Sequence, residues 1–236
     1  MSQPIAAAAG GRLHAVDVAR TVALAMMIAF HLLYDLVILG FRDPFGPWFL
    51  LWAKGIAGSF LALAGVSLWL AHGRGTRWGA FAKRLALLAA AALAVSVATR
   101  VAMPDWWVRW GILHAIAAGS LIGIALIRAP WPVIAALGAA AFALRPALLG
   151  VLEGPLGLVL GTARAIPPMM DYEPILPWAG PLLLGLAGAK ALGGRLHRLR
   201  TPDTALLRML AWPGRHSLAI YLLHQPVIFG TLLLLR

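Results

Sequence analysis

Four ionisable residues fall within the first long apolar stretch of the chain: Asp17, Arg20, His31 and Asp35. At about 100° per residue of α-helix, Asp17 and Asp35 are about five full turns apart, and Arg20 and His31 about three turns plus 20°. The four therefore share one stripe. Such side chains in a spanning helix face a protein interior or a wet cavity rather than lipid. The plainer reading is a polar seam that fixes helix packing. The chemical reading uses the spacing: His31 lies roughly 16 Å along the helix from Arg20 at about 1.5 Å per residue, comparable to an extended pantetheine arm. An arginine that grips a phosphate-bearing end and a histidine that meets a thioester end suit that separation. Asp35, one turn beyond His31, is placed to hydrogen-bond the imidazole and fix its tautomer, which makes the pair a general base with its orienter.

Further candidates stand elsewhere. His114 follows Arg109 by five residues and comes just after Trp106, Trp107 and Trp110. His224 is followed directly by Gln225 and Pro226, and the proline frees a backbone acceptor one turn earlier. Arg109, His114 or His224 could stabilise a developing oxyanion. Each histidine alone is as well explained by packing. His72, His197 and His216 sit in or beside basic loops, where solvation is expected. The tryptophans read first as an interfacial belt and second as a stacking surface for a sugar ring. Asp171 and Glu173 are flanked by prolines and could accept hydrogen bonds from acceptor hydroxyls, although loop carboxylates are often merely solvated. Cysteine is absent, which excludes thiolate chemistry, and no histidine pair has helical ligand spacing, so no metal is expected. Nucleophile-elbow, phosphate-loop and dinucleotide signatures are missing too.

The elements that must position these residues follow from composition. With 61% hydrophobic and 12% charged residues among 236 and a mean hydropathy of +0.85, the chain cannot be wrapped around a water-facing core. Its apolar runs are about twenty residues long, which predicts an all-α polytopic bundle. Seven spans are expected, over 14–39, 48–71, 83–103, 109–127, 131–149, 176–192 and 214–235, with Arg145 and Pro146 interrupting the fifth. Residues 1–13 form a tail, and 14–236 one transmembrane domain whose first helix is retained. The net charge of +12 is mainly topological. Arg12, Arg74, Arg77, Lys83, Arg84, Arg128, Lys190, Arg195, Arg198, Arg200, Arg208 and Arg215 fall on one side. The positive-inside rule makes that side cytoplasmic, with the N-terminus inside and the C-terminus outside. The setting is the cell membrane, anionic lipid is an expected partner, and nucleic acid is not. The stretch 150–174 reads as an outer lid. Gly119, Gly123, Gly185 and Gly188 read as helix-packing contacts.

Taken together, RLHAVDVARTVALAMMIAFHLLYDL, FLALAGVSLWLA, WWVRWGILHAIAAGSLIG, LPWAGPLLLG and PGRHSLAIYLLHQPV resemble the bacterial proteins related to the heparan-alpha-glucosaminide N-acetyltransferase catalytic domain. The likeness runs from Arg12 nearly to the end, and the order of these short motifs is more specific than any one of them. The spacing from Arg20 to His31 is also similar to a first-helix motif of the membrane acyltransferase three family. The resemblance implies an enzyme moving acetyl or acyl groups from cytoplasmic acyl-CoA to a glycan-like or small-molecule acceptor at the outer face. The chain departs from that family in two places. Relatives of the heparan enzyme carry a histidine between the first two helices, where residues 40–47 read GFRDPFGP, so the role passes to His31. Thr21 stands where many relatives have glycine.

The expected site therefore has catalytic His31, Asp35, His114 and His224. Asp17, Arg20, Arg84 and Arg109 serve the acyl-CoA, and Trp106, Trp107, Trp110, Asp171 and Glu173 serve the acceptor. Direct transfer and a transient acyl-histidine both fit, and a homo-oligomer is compatible with this reading. The rivals are a proton-coupled transporter or flippase that uses the same stripe as a relay, and a non-catalytic membrane partner.

Overall fold

The computed structural model describes residues 14–193, 195 and 204–235. Arg12 with the rest of the tail, His197, Arg198, Arg200 and Arg236 lie outside the described residues. The described chain forms α1 (His14–Ile38), α2 (Trp48–His72), α3 (Trp78–Ala102), α4 (Ile112–Leu126), α5 (Trp131–Leu148), α6 (Gly154–Leu160), α7 (Ile175–Leu192), α8 (Ala205–Arg215) and α9 (Ser217–Leu234). Six of these are long and apolar enough to cross a membrane: α1, α2, α3, α5, α7 and α9.

The fourth expected span, 109–127, is shorter than its apolar run. Helix α4 has 15 residues, below the roughly 20 that cross a hydrocarbon core at about 1.5 Å each. Residues 106–110 are non-helical instead and dock on the lid: the Trp106 carbonyl accepts from Met170 N–H at 2.9 Å and the Trp110 carbonyl from Glu173 N–H at 3.1 Å. The lid itself is ordered by its own polar groups. Helix α6 ends at Gly161, whose φ of 87° is left-handed and cheap for glycine. Glu153 accepts from the Arg164 N–H at 3.1 Å, and Tyr172 donates to the Leu158 carbonyl at 2.8 Å. The fifth span is not interrupted, since α5 continues through Pro146 to Leu148.

Helix α7 is the hub, packing against α2, α4 and α5. Leu61, Leu68, Ile134, Leu182 and Leu186 are its fully buried contacts. Lipid supplies little hydrophobic drive between helices, so close packing must do the work. A β-carbon on Gly65 would lie 2.0 Å from the Leu182 carbonyl oxygen, and one on Gly185 2.1 Å from the Ala62 carbonyl oxygen, so α2 and α7 cross backbone to backbone. Gly119 and Gly123 face Leu182 and Leu68 as packing residues, whereas Gly188 faces open space. Large apolar side chains such as Leu51, Leu87, Val101 and Leu223 point outward, as a lipid-facing surface requires. Helix α9 has no buried residue and rests on α1, with a smaller contact to α8. Its Leu218, Tyr221 and Leu222 are partly buried against the core.

Candidate functional site

The α1 stripe turns inward, with Asp17 and Asp35 fully buried. At the arginine-rich end, Arg20 donates to Asp17 Oδ1 at 2.9 Å and to the Ser67 hydroxyl on α2. Asp17 also faces Arg215 of α8, 3.5 Å from its Nε. Asp17 and Ser67 thus hold Arg20 in place between α1 and α2. Helix α8 reaches α1 because Gly214 has no side chain: a β-carbon there would lie 1.9 Å from the Asp17 carbonyl oxygen. Thr21 completes the joint, accepting from Gly214 N–H at 2.9 Å and donating to the Leu210 carbonyl at 2.7 Å.

Arg20 shares a cavity of about 90 Å³ with Arg84, Leu88, Ile112, Leu113, Ser217 and Tyr221, among others. Two guanidinium groups border one small space, an arrangement that favours an anion. Not every basic residue at this end is available. Lys190 caps the end of α4, donating to the carbonyls of Ile127 at 2.9 Å and Ala129 at 2.6 Å, where a cation complements the helix dipole. His72, expected in solvent, is buried, and its Nδ1 accepts from Arg77 N–H at 3.3 Å. His216 is exposed, as expected.

Farther along the stripe, His31 of α1 meets His224 of α9, ring centroids 4.7 Å apart and planes at 72°. The expected His31–Asp35 hydrogen bond is replaced by other partners. The His31 Nδ1 lies 2.9 Å from the Met27 carbonyl, which can only accept, so the proton sits on Nδ1 and Nε2 keeps its lone pair. His224 is held the same way, its Nδ1 2.6 Å from the Tyr221 carbonyl, and its Nε2 is buried without a hydrogen-bond partner among the described residues. Asp35 instead receives both contacts of the Gln225 amide, at 2.9 and 3.1 Å. Local carbonyls orient both imidazoles, and Asp35 ties α1 to α9.

The remaining predicted residues gather around the start of α4. Asp171 accepts from Ile112 N–H at 2.8 Å, and the His114 Nδ1 accepts from Gly111 N–H at 3.2 Å, so both cap the helix. The Trp110 ring lies 5.2 Å from that of His114, and its Nε1 is buried without a hydrogen-bond partner among the described residues. Arg109 does not join Arg20 and Arg84. It donates to the Pro168 carbonyl at 2.9 Å and lies over the Trp107 ring, while Trp106 is exposed. Burial, with Asp171 alongside, pushes the Glu173 carboxyl up to about 9. Burial also pushes Asp171 up to about 6, against the pull of the Ile112 amide. Tyr221, to which the sequence assigns no role, links these groups: it lines the cavity, its ring lies 5.6 Å from that of His224, and it is within electrostatic reach of Asp171 and Glu173.

No curated protein and no solved structure matches the chain. The family model described as "Heparan-alpha-glucosaminide N-acetyltransferase, catalytic" matches residues 12–226, a span that includes the arginine cavity and the histidine pair. The chain therefore belongs to the heparan-alpha-glucosaminide N-acetyltransferase catalytic family, a membrane family of the acetyltransferase type.

Proposed function

We propose that the protein transfers an acetyl or other acyl group from acyl-CoA, bound at the arginine-rich end, to a hydroxyl or amine of a glycan-like acceptor on the opposite side. The observation that carries this reading is the cavity bordered by Arg20 and Arg84 and lined by Tyr221, whose ring lies 5.6 Å from that of His224, the neighbour of His31. The arginines hold donor phosphates. The bare Nε2 of His31 takes the acceptor's proton as the acceptor attacks the thioester carbon, and the imidazolium returns that proton to the departing thiolate. Trp110 and the protonated Glu173 offer hydrogen bonds to acceptor hydroxyls.

The test is release of free CoA thiol from acetyl-CoA by the purified protein, supplied with cell-envelope glycans. The parent is expected to release thiol, and His31→Ala to lose a factor of about 10² to 10⁴, the range of a general base, at unchanged melting temperature. Equal release by parent and variant would remove His31 from the chemistry. No release by the parent would remove the reading.

A further inference from the structure

Acyl transfer by a neutral base leaves one demand unmet: the carbonyl oxygen gathers negative charge as the tetrahedral intermediate forms, and a donor must meet it. Of the cavity-lining residues, Arg20, Arg84, Ser217 and Tyr221 carry side-chain donors. The arginines border the anion end, and Ser217 begins α9, one turn before Tyr221. Tyr221 stands beside the histidine pair, its ring 5.6 Å from that of His224.

Two further observations single it out. Its hydroxyl has no hydrogen-bond partner among the described residues, in contrast to Tyr172, whose hydroxyl is bound to the Leu158 carbonyl. A phenol inside a bundle ordinarily finds a partner, so a free one that lines a cavity is available to a bound molecule. Its backbone carbonyl is also the acceptor that orients His224, so the phenol and that imidazole are carried on one turn of α9.

Resting on the acyltransfer reading above, we infer that the Tyr221 hydroxyl donates the hydrogen bond that holds the thioester carbonyl oxygen as it becomes an oxyanion. The acceptor's lone pair forms the new bond to the carbonyl carbon, and the carbonyl π pair moves onto oxygen, where Tyr221 O–H meets it. The acceptor's proton goes to His31 Nε2. The pair then returns, the C–S bond breaks, and the thiolate takes the proton from the imidazolium. Tyr221 keeps its own proton throughout.

Tyr221→Phe removes the hydroxyl and keeps the ring against His224. Expected is a fall in kcat of about 10² to 10³, the effect of losing one oxyanion donor, with the KM for acetyl-CoA changed by less than about threefold and the melting temperature unmoved. Undiminished kcat would overturn the assignment. So would a variant that melts well below the parent or fails to bind acetyl-CoA in a titration, because the hydroxyl would then serve folding or binding. A parent that releases no CoA overturns both this inference and the function it rests on, which separates the two failures.

Discussion

The Asp171–Glu173 pair shows how residue chemistry departs from sequence expectation. Read as loop carboxylates offered to acceptor hydroxyls, they are instead half-buried against the start of α4, one as a helix cap and the other held protonated. A carboxyl that binds its proton more tightly folded than unfolded stabilises the fold at low pH and loses that contribution as pH rises through its folded value. The melting temperature in detergent should therefore fall from about pH 4.5, the ordinary glutamate value, to about 9. Glu173→Gln should flatten the part of that fall above about pH 6, where Asp171 has already titrated. A variant profile parallel to the parent's across that window would show that Glu173 is ionised in the fold. The stripe on α1 was legible because helical periodicity alone places Asp17, Arg20, His31 and Asp35 together. Their partners were not: Ser67, Arg215 and Gln225 lie 47, 198 and 190 positions away. No local pattern encodes them. Spacing suggested Asp35 for His31, but the nearer Met27 carbonyl satisfies the ring and frees Asp35 for Gln225.

At the scale of elements, composition and periodicity located most spans to within a few residues. Misses came where tertiary contacts override an apolar run. The start of α4 gives way to a non-helical strip that pairs with the lid, and α8 extends through Pro213 because its partner is the backbone of α1, reached at Gly214. The glycine contacts make the α2–α7 crossing testable. Gly65→Ala or Gly185→Ala must push the two backbones apart, an overpacking cost of about 1–3 kcal/mol. The expected result is a melting temperature lower by several degrees, since about 1 kcal/mol corresponds to about 2–4 °C in a chain of this size. Gly188→Ala, with nothing within 4 Å of the new atom, should leave the melting temperature unchanged or raise it, because alanine favours helix over glycine by about 1 kcal/mol. Equal behaviour of the three variants would mean that the crossing is not set by these glycines.

For the whole molecule, the hydropathy of the chain was enough to specify a helical membrane bundle, and the order of its short motifs the family. What the sequence could not supply is the depth relation between the two ends. The arginine cavity and the lid carboxylates both reach Tyr221, so a donor and an acceptor arriving from opposite sides would meet at one residue of α9. The proposed function stands on the arginine pair as a phosphate site in the cavity that Tyr221 lines. Calorimetric titration of acetyl-CoA into the purified protein in detergent measures that claim most directly, with Arg84→Ala beside the parent. Saturable binding by the parent, weakened tenfold or more by Arg84→Ala, is the predicted result. No heat at millimolar acetyl-CoA, or equal affinity in the two proteins, would contradict it.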